Sequence, residues 1–364
     1  MSKLFSPVQL GTLTLPNRLV RSATAERLAD AGGKPLPALS SMLCDLAEGG
    51  VGLIITGHMY VSPEGKCHPE MTGIHDDALL PGLSALAEAI HDAGGHVAVQ
   101  INHGGMQCAP EAVDGTMAPS AIAADFLPQP AREMTVAEIE ATVLAYGAAA
   151  RRAKSAGFDA VQLHGAHGYL INQFLSPLVN RRTDGWGGGL DGRMRFLREV
   201  CAAVRAEVGD DTPVFIKLGV QDGRDGGLTL PDGVAVAAAL EGMGLDGVEV
   251  SAGLSGPDLQ ASRAGVRGPE DEAYLRHLAR AVREVTSLPV MAVGGFRSRA
   301  VMDAVLASGD ADFVSMCRPL ICEPDLPRRL MAGQARGACI SGNRCWPKGP
   351  GEGIACRCLG EPAA

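Results

Sequence analysis

Eight short runs of aliphatic and β-branched residues recur along the chain, and between them apolar residues return every three or four positions. The runs are Leu19 to Ala23, Gly52 to Gly57, His96 to Ile101, Ala160 to Gly165, Val214 to Gly219, Gly247 to Ala252, Pro289 to Gly294 and Phe313 to Arg318. The helical stretches include Leu79 to Ala93, Val136 to Ala156, Met194 to Val208, Pro231 to Met243, Tyr274 to Val285 and Ser298 to Ala307. Strand and helix periods that alternate in this way mark βα units on a parallel sheet. Thr135 precedes Glu138 by the spacing of a capping box, and Pro231 follows Leu230 where a first helical turn favours proline. Gly49, Gly94, Gly157, Gly209, Gly244 and Gly309 each sit just past an apolar pattern, where helices end.

Eight such units within residues 1–333 predict an α/β fold, a closed (β/α)8 TIM barrel. A doubly wound sheet would call for Gly-x-Gly-x-x-Gly after an early strand, and none is present there. Leu10-Gly-Thr-Leu-Thr-Leu-Pro-Asn alternates and turns at Gly11, which predicts a small hairpin capping the barrel floor. From Gln334 the periodicity is lost and Gly, Pro and Cys accumulate, so residues 334–364 are expected to form an irregular arm on the barrel.

Strand alternation then locates the chemistry. Val97, Val99 and Ile101 share one face and Ala98 and Gln100 the other; Val161 and Leu163 oppose Gln162 and His164. Val214, Ile216 and Leu218 oppose Phe215 and Lys217, and Val248 and Val250 oppose Glu249 and Ser251. The aliphatic faces must meet the helices, so Gln100, His164 and Lys217 point inward near the C-terminal mouth. Buried polar side chains of this kind need either a hydrogen-bonded core network of their own or a bound polar cofactor. Just past the fourth run, His164, His167 and Tyr169 fall within six residues, at the strand end where barrels place catalytic groups. Two histidines at this spacing can also ligate a metal, but no third carboxylate or thiolate belongs to the motif.

Gly294-Gly295 ends the seventh run and Cys317-Arg318-Pro319 the eighth. Loops after strands seven and eight of a barrel bind phosphate, with glycine N–H groups and an arginine fork suited to an oxyanion. A plain turn is the alternative for the glycine pair. Together with the polar cluster, these features point to a phosphorylated planar cofactor.

The chain has 364 residues, 46% hydrophobic, 4% aromatic, with net charge −9 and no basic stripe, which argues against nucleic acid. No apolar run approaches the roughly 18–20 residues that span a bilayer, and Met1-Ser-Lys-Leu-Phe-Ser-Pro lacks a signal-peptide core, so a cytoplasmic location is expected. A small-molecule substrate and a homo-oligomer complete the expected partners. Of ten cysteines, Cys44, Cys67, Cys108, Cys201, Cys317 and Cys322 are scattered and read as reduced fillers, whereas Cys339, Cys345, Cys356 and Cys358 crowd the tail.

At this point the sequence resembles the old yellow enzyme family of flavin-dependent oxidoreductases. The resemblance runs from Leu4 to about Leu326 and rests on Leu15-Pro-Asn-Arg-Leu-Val, Gln100-x-x-His103-x-Gly105, His164-Gly-Ala-His167-Gly-Tyr169-Leu-x-x-Gln173-Phe-Leu-Ser-Pro, Asn180-x-Arg-x-Asp-Gly-Trp-Gly-Gly and Arg193-x-Arg195-Phe. It implies FMN, with Ser22, Ala23, Thr24, Ala25, Gly57, Gln100, His164 and Lys217 around the ring and Gly294, Gly295, Cys317 and Arg318 at the phosphate. It further implies that NAD(P)H reduces the flavin. An α,β-unsaturated carbonyl would then bind with its oxygen between His164 and His167, take a hydride from N5 at the β-carbon, and receive a proton from Tyr169 at the α-carbon. Runner-up activities on the same barrel are an amine dehydrogenase or demethylase and a dienoyl-CoA-reductase-like enzyme. A Schiff-base aldolase using Lys217 and a non-catalytic flavin-binding module stand further off.

Several positions depart from the family pattern. Lys217 stands where arginine is common, Ala23 where proline is common, and Ala25 where a threonine or cysteine tunes the flavin. Trp186 replaces a common tyrosine and Cys317 a common glycine. The tail resembles the segment of dienoyl-CoA reductases that holds an iron–sulfur cluster, but Gly342 stands where a thiolate is expected. Cys339, Cys345, Cys356 and Cys358 are therefore expected to be reduced structural thiols, with a cluster or zinc as the alternative.

Overall fold

The computed structural model of the chain describes residues 2–124, 126–254, 259–349 and 351–358. Eight parallel strands form the barrel: β1 Leu19–Arg21, β2 Leu53–Ile55, β3 Val97–Asn102, β4 Ala160–Gly165, β5 Val214–Gly219, β6 Gly247–Ser251, β7 Val290–Val293 and β8 Phe313–Met316. Each pairs with its sequence neighbours, and β8 pairs with β1, which closes the ring. Outside it run α1 Pro37–Glu48, α2 Leu80–Asp92, α3 Val136–Ala156, α4 Leu190–Val208, α5 Leu230–Ala239, α6 Arg276–Arg283, α7 Arg299–Ser308 and α8 Leu326–Met331. No helix among the described residues is long and apolar enough to cross a membrane.

The chain folds this way because the two faces of each strand have different partners. Val97, Val99, Ile101, Val161, Leu163, Ile216, Leu218, Val248 and Val250 join the apolar layer under the helices. Leu10, Leu15, Val20, Leu53, Ile55, Ala98, Ala160, Phe215, Met291 and Phe313 fill the barrel floor, all of them fully buried. Leu10 and Leu15 come from an antiparallel hairpin, Val8–Leu10 with Leu13–Leu15, which plugs the bottom as the alternation around Gly11 predicts. Phe215 stands mid-floor beneath Lys217. Phe215→Ala is therefore expected to cost about 3–5 kcal/mol of stability, read as a lower denaturation midpoint.

The Thr135–Glu138 capping box is present at the start of α3, and Gly157 ends that helix in the left-handed conformation. Differences from the expected bounds have local causes. The first strand stops at Arg21, whose guanidinium bonds the Ile55 carbonyl and pairs with Glu26 at 2.8 Å. The last strand stops at Met316 because Cys317 caps a short helix, Arg318–Cys322. The stretch expected as Pro231 to Met243 is α5 followed by a separate 3-10 turn, Glu241–Met243. Helix α1 lies outside the stretches set out above, although Leu39, Leu43, Leu46 and Ala47 bury a face of helical spacing.

The loops after β2, β3, β4 and β6 are long, and described residues of those after β2, β4 and β6 line the C-terminal mouth or pack beside it. The arm crosses the same mouth. Arg297 Nη1 donates to the Cys339 carbonyl at 2.6 Å, Gly265 N–H to Ser341 at 3.1 Å, and Ile354 N–H to Glu26 at 3.2 Å.

Candidate active site

Inward polar residues sit one layer above the floor. Gln100 donates its amide to Gln162 Oε1 at 2.6 Å, and Gln162 donates to Glu249 Oε2 at 2.9 Å. Lys217 Nζ lies 3.0 Å from the same Glu249 oxygen and 2.7 Å from Ser22 Oγ. The core network of the sequence reading therefore exists, yet its top opens into a cavity of about 270 Å³ that Gln100 and Lys217 both line. Burial raises the Glu249 carboxyl, but the adjacent Lys217 charge and the hydrogen bonds hold it below its ordinary value.

The β4 terminus supplies the next wall. His164 is its last inward residue; beyond it His167 (φ 59°) and Gly168 (φ 77°) adopt left-handed backbone in succession, which reverses the chain. This costly turn is pinned from the short helix Leu170–Leu175. Asn172 Oδ1 accepts the Gly168 N–H at 2.7 Å, and Gln173 Nε2 donates to the Gly168 carbonyl at 2.6 Å. Asn172 and Ser176 in turn donate to Asp222 at 3.3 and 2.6 Å. Tyr169, at the N-terminal boundary of that helix, thereby reaches the cavity.

The imidazoles of His164 and His167 stand edge to face with centroids 5.3 Å apart, and the Tyr169 ring lies 4.5 Å from His164. His164 Nδ1 accepts the Ala166 N–H at 3.4 Å, which leaves the proton on Nε2. His167 Nε2 lies 2.7 Å from Ser251 Oγ. Burial, reinforced by His167, His58 and Lys217, holds His164 well below the ordinary histidine value. Burial and Lys217 lower His167 to about 3. Burial pushes the Tyr169 phenol well upward. At neutral pH the site therefore presents two neutral imidazoles and one protonated phenol.

These shifts have a consequence for stability. Burial also lowers His58 and His68 to about 3 and His103 to about 4, against 6.5 for free histidine. The unfolded chain takes up protons that the folded chain refuses, so stability is fully present above about pH 6.5 and falls as the pH drops toward 4. Denaturant midpoints measured from pH 8 to 4 are expected to be flat at first and then to decline below 6.5; a constant midpoint down to pH 4.5 would refute the assignment.

At the other end of the cavity Gly294 (φ 131°) and Gly295 (φ 74°) follow β7 and pass over Tyr274. Arg318 Nη1 donates to the Arg263 carbonyl at 2.8 Å and to Asn343 Oδ1 at 2.5 Å. Ser315 Oγ lines the cavity buried and without a partner. A cation and an amide at one end, with glycines, an arginine and an unclaimed hydroxyl at the other, fit a ring with a phosphate tail. Ser22, Ala23, Thr24, Ala25 and Cys317 line the cavity between and beside them.

Gly57, expected beside the ring, is set back from the cavity. It does not line the cavity, because its N–H donates to Glu26 at 2.7 Å and a side chain there would collide with that carboxylate. The neighbouring His58 lines it instead, 5.0 Å from Tyr169 by centroid, with Nδ1 2.9 Å from the Asn102 amide nitrogen. The stretch Tyr60 to Thr72 stays behind this wall, and Tyr60, Cys67 and Met71 pack on Tyr169. Of the stretch 254–268 after β6, Ala261 and Ser262 line the cavity, and residues 255–258 lie outside the described residues. Ser341, Asn343, Cys345, Trp346 and Ile354 bring the arm into the wall. Sequence pattern gave no sign of this, since the arm has no period to read.

All ten cysteines are free. Cys358 Sγ lies over Gly342, 2.9 Å from where a Cβ would stand. Among the described residues no three cysteine, histidine or carboxylate groups come together so as to hold a metal ion.

The closed barrel, its polar mouth and the glycine–arginine end of the cavity suit a phosphorylated flavin. The chain belongs to the NADH:flavin oxidoreductase / NADH oxidase family, the old yellow enzyme family, whose model matches residues 3–336. It is 37% identical over 348 residues to the NADH oxidase of Thermoanaerobacter brockii, covering 93% of this chain and 52% of that protein. It is 36% identical over 350 residues to the NADPH dehydrogenase of Halalkalibacterium halodurans, covering 94% and 99%. The solved old yellow enzyme homologue from Zymomonas mobilis superposes with a TM-score of 0.80 at 28% identity, covering 96% of this chain and 98% of that one. The chain thus spans about half the length of the first relative and nearly all of the other two.

Proposed function

We propose that the protein reduces the C=C bond of α,β-unsaturated carbonyl compounds at the expense of NAD(P)H. FMN, held by Gln100, Lys217 and the Ser22–Ala25 segment at one end and by Gly294, Gly295 and Arg318 at the other, supplies hydride transfer. The chain's own residues do the rest. His164 and His167 donate hydrogen bonds to the substrate carbonyl, which draws electron density from the β-carbon and stabilises the developing enolate. Tyr169 hands its phenolic proton to the α-carbon.

The observation that carries this reading is the pair of neutral imidazoles 5.3 Å apart beside a phenol kept protonated. Two neutral donors suit a carbonyl oxygen; a tertiary amine offers no such acceptor pair. The test is anaerobic. Enzyme reduced by NADPH is expected to return to its oxidised spectrum on adding 2-cyclohexenone, releasing one equivalent of cyclohexanone, while trimethylamine leaves oxidised enzyme unchanged. Reduction by the amine without any response to the enone would replace this reading by the amine dehydrogenase.

A further inference from the structure

Lys217 reaches the cavity on β5, and Glu249 sits beside it in register on β6. The two differ in exposure: Lys217 lines the cavity at 4% accessibility, whereas Glu249 is at 0% and stands behind it. Glu249 Oε2 takes both Lys217 Nζ at 3.0 Å and the Gln162 amide at 2.9 Å. Oε1 has no hydrogen-bond partner among the described residues. Lys217, Gln162 and Ser22 all bear on this one carboxylate. Ser22 Oγ and a ligand in the cavity could satisfy the ammonium, and an unpaired buried oxygen is a standing cost.

We propose that Glu249 is a positioning residue that compensates the charge of Lys217 and so lowers the two-electron potential of the bound FMN. A lone ammonium at the ring would favour the reduced flavin, which carries negative charge that the oxidised ring lacks. With Glu249 3.0 Å behind it, Lys217 offers the ring the positive end of a neutral pair. Interactions between buried charges at such distances are strong enough to move a redox equilibrium. The reduced cofactor becomes a stronger hydride donor, and Gln162 and Gln100 tie the carboxylate to the cavity wall so that the pair keeps its orientation. This rests on FMN binding and not on the identity of the substrate.

The test is anaerobic equilibration of the purified holoenzyme with a reference dye. Glu249→Gln is expected to shift the reduction equilibrium about tenfold toward reduced flavin, which is about 30 mV for a two-electron couple. Glu249→Met, a second neutral side chain, is expected to shift it the same way, while Glu249→Asp keeps the charge and stays within about threefold of the parent. An unchanged or opposite shift in the neutral variants overturns the proposal. So does loss of FMN from both of them, which would make the carboxylate a purely structural support.

Discussion

Tyr169→Phe is expected to slow enone turnover by roughly 10²–10⁴-fold while NAD(P)H still reduces the enzyme at the parent rate. The phenol is placed by a device that the substitution leaves intact. His167 and Gly168 keep their left-handed turn, and Asn172 and Gln173 keep their bonds to Gly168. The ring retains its contacts with His164 and with Tyr60, Cys67 and Met71, so the melting temperature is expected to hold. Only the proton is lost. Separate stopped-flow measurements of the two half-reactions distinguish this from a packing defect, which would slow both. A residual rate carried by water is expected and should rise with buffer concentration.

His164→Ala is expected to lower enone turnover by about 10²–10³-fold, the usual cost of one oxyanion donor, and His167→Ala by a similar factor. The double variant is expected to lose less than the product of the two, because both donors act on one oxygen. His164→Asn, which keeps an N–H donor, is expected to recover part of the loss. Because burial holds His167 near 3 and His164 well below its ordinary value, the parent rate is expected to show no histidine ionisation between pH 6 and 9. A rate that rose as the pH fell through 6.5 would mean that imidazolium, not imidazole, polarises the carbonyl.

Much of this was legible in the sequence, for a physical reason. A parallel barrel demands aliphatic side chains toward its helices, so the polar residues of each strand could be assigned inward by alternation alone. Phe215 and Lys217 are the clearest case: neighbours but one on a single strand, one in the floor and the other in the polar layer above. The same alternation exposed Gln162, Glu249 and Ser251, though nothing in it says that Glu249 would pair with Lys217 or Ser251 with His167. Pairing across strands depends on register, and register is a property of the closed ring. The setting of Gly57 was hidden for a related reason. Its backbone N–H is claimed by Glu26, a loop residue whose position depends on the Arg21 ion pair. The arm's part in the cavity was not legible either, because Asn343, Trp346 and Ile354 are placed by tertiary hydrogen bonds and contacts without any repeating pattern.

Two imidazoles and a phenol are expected to act together on one conjugated carbonyl. Turnover of 2-methylcyclohexenone with 4-deuterated NADPH in ordinary water, and with unlabelled NADPH in deuterium oxide, reads each contribution separately in the product's NMR spectrum. The nicotinamide label is expected only at the β-carbon and the solvent label at the α-carbon, with the solvent label's delivery slowed in Tyr169→Phe. Recovery of unchanged enone while the cofactor is consumed, or the nicotinamide label at any carbon other than β, would contradict it.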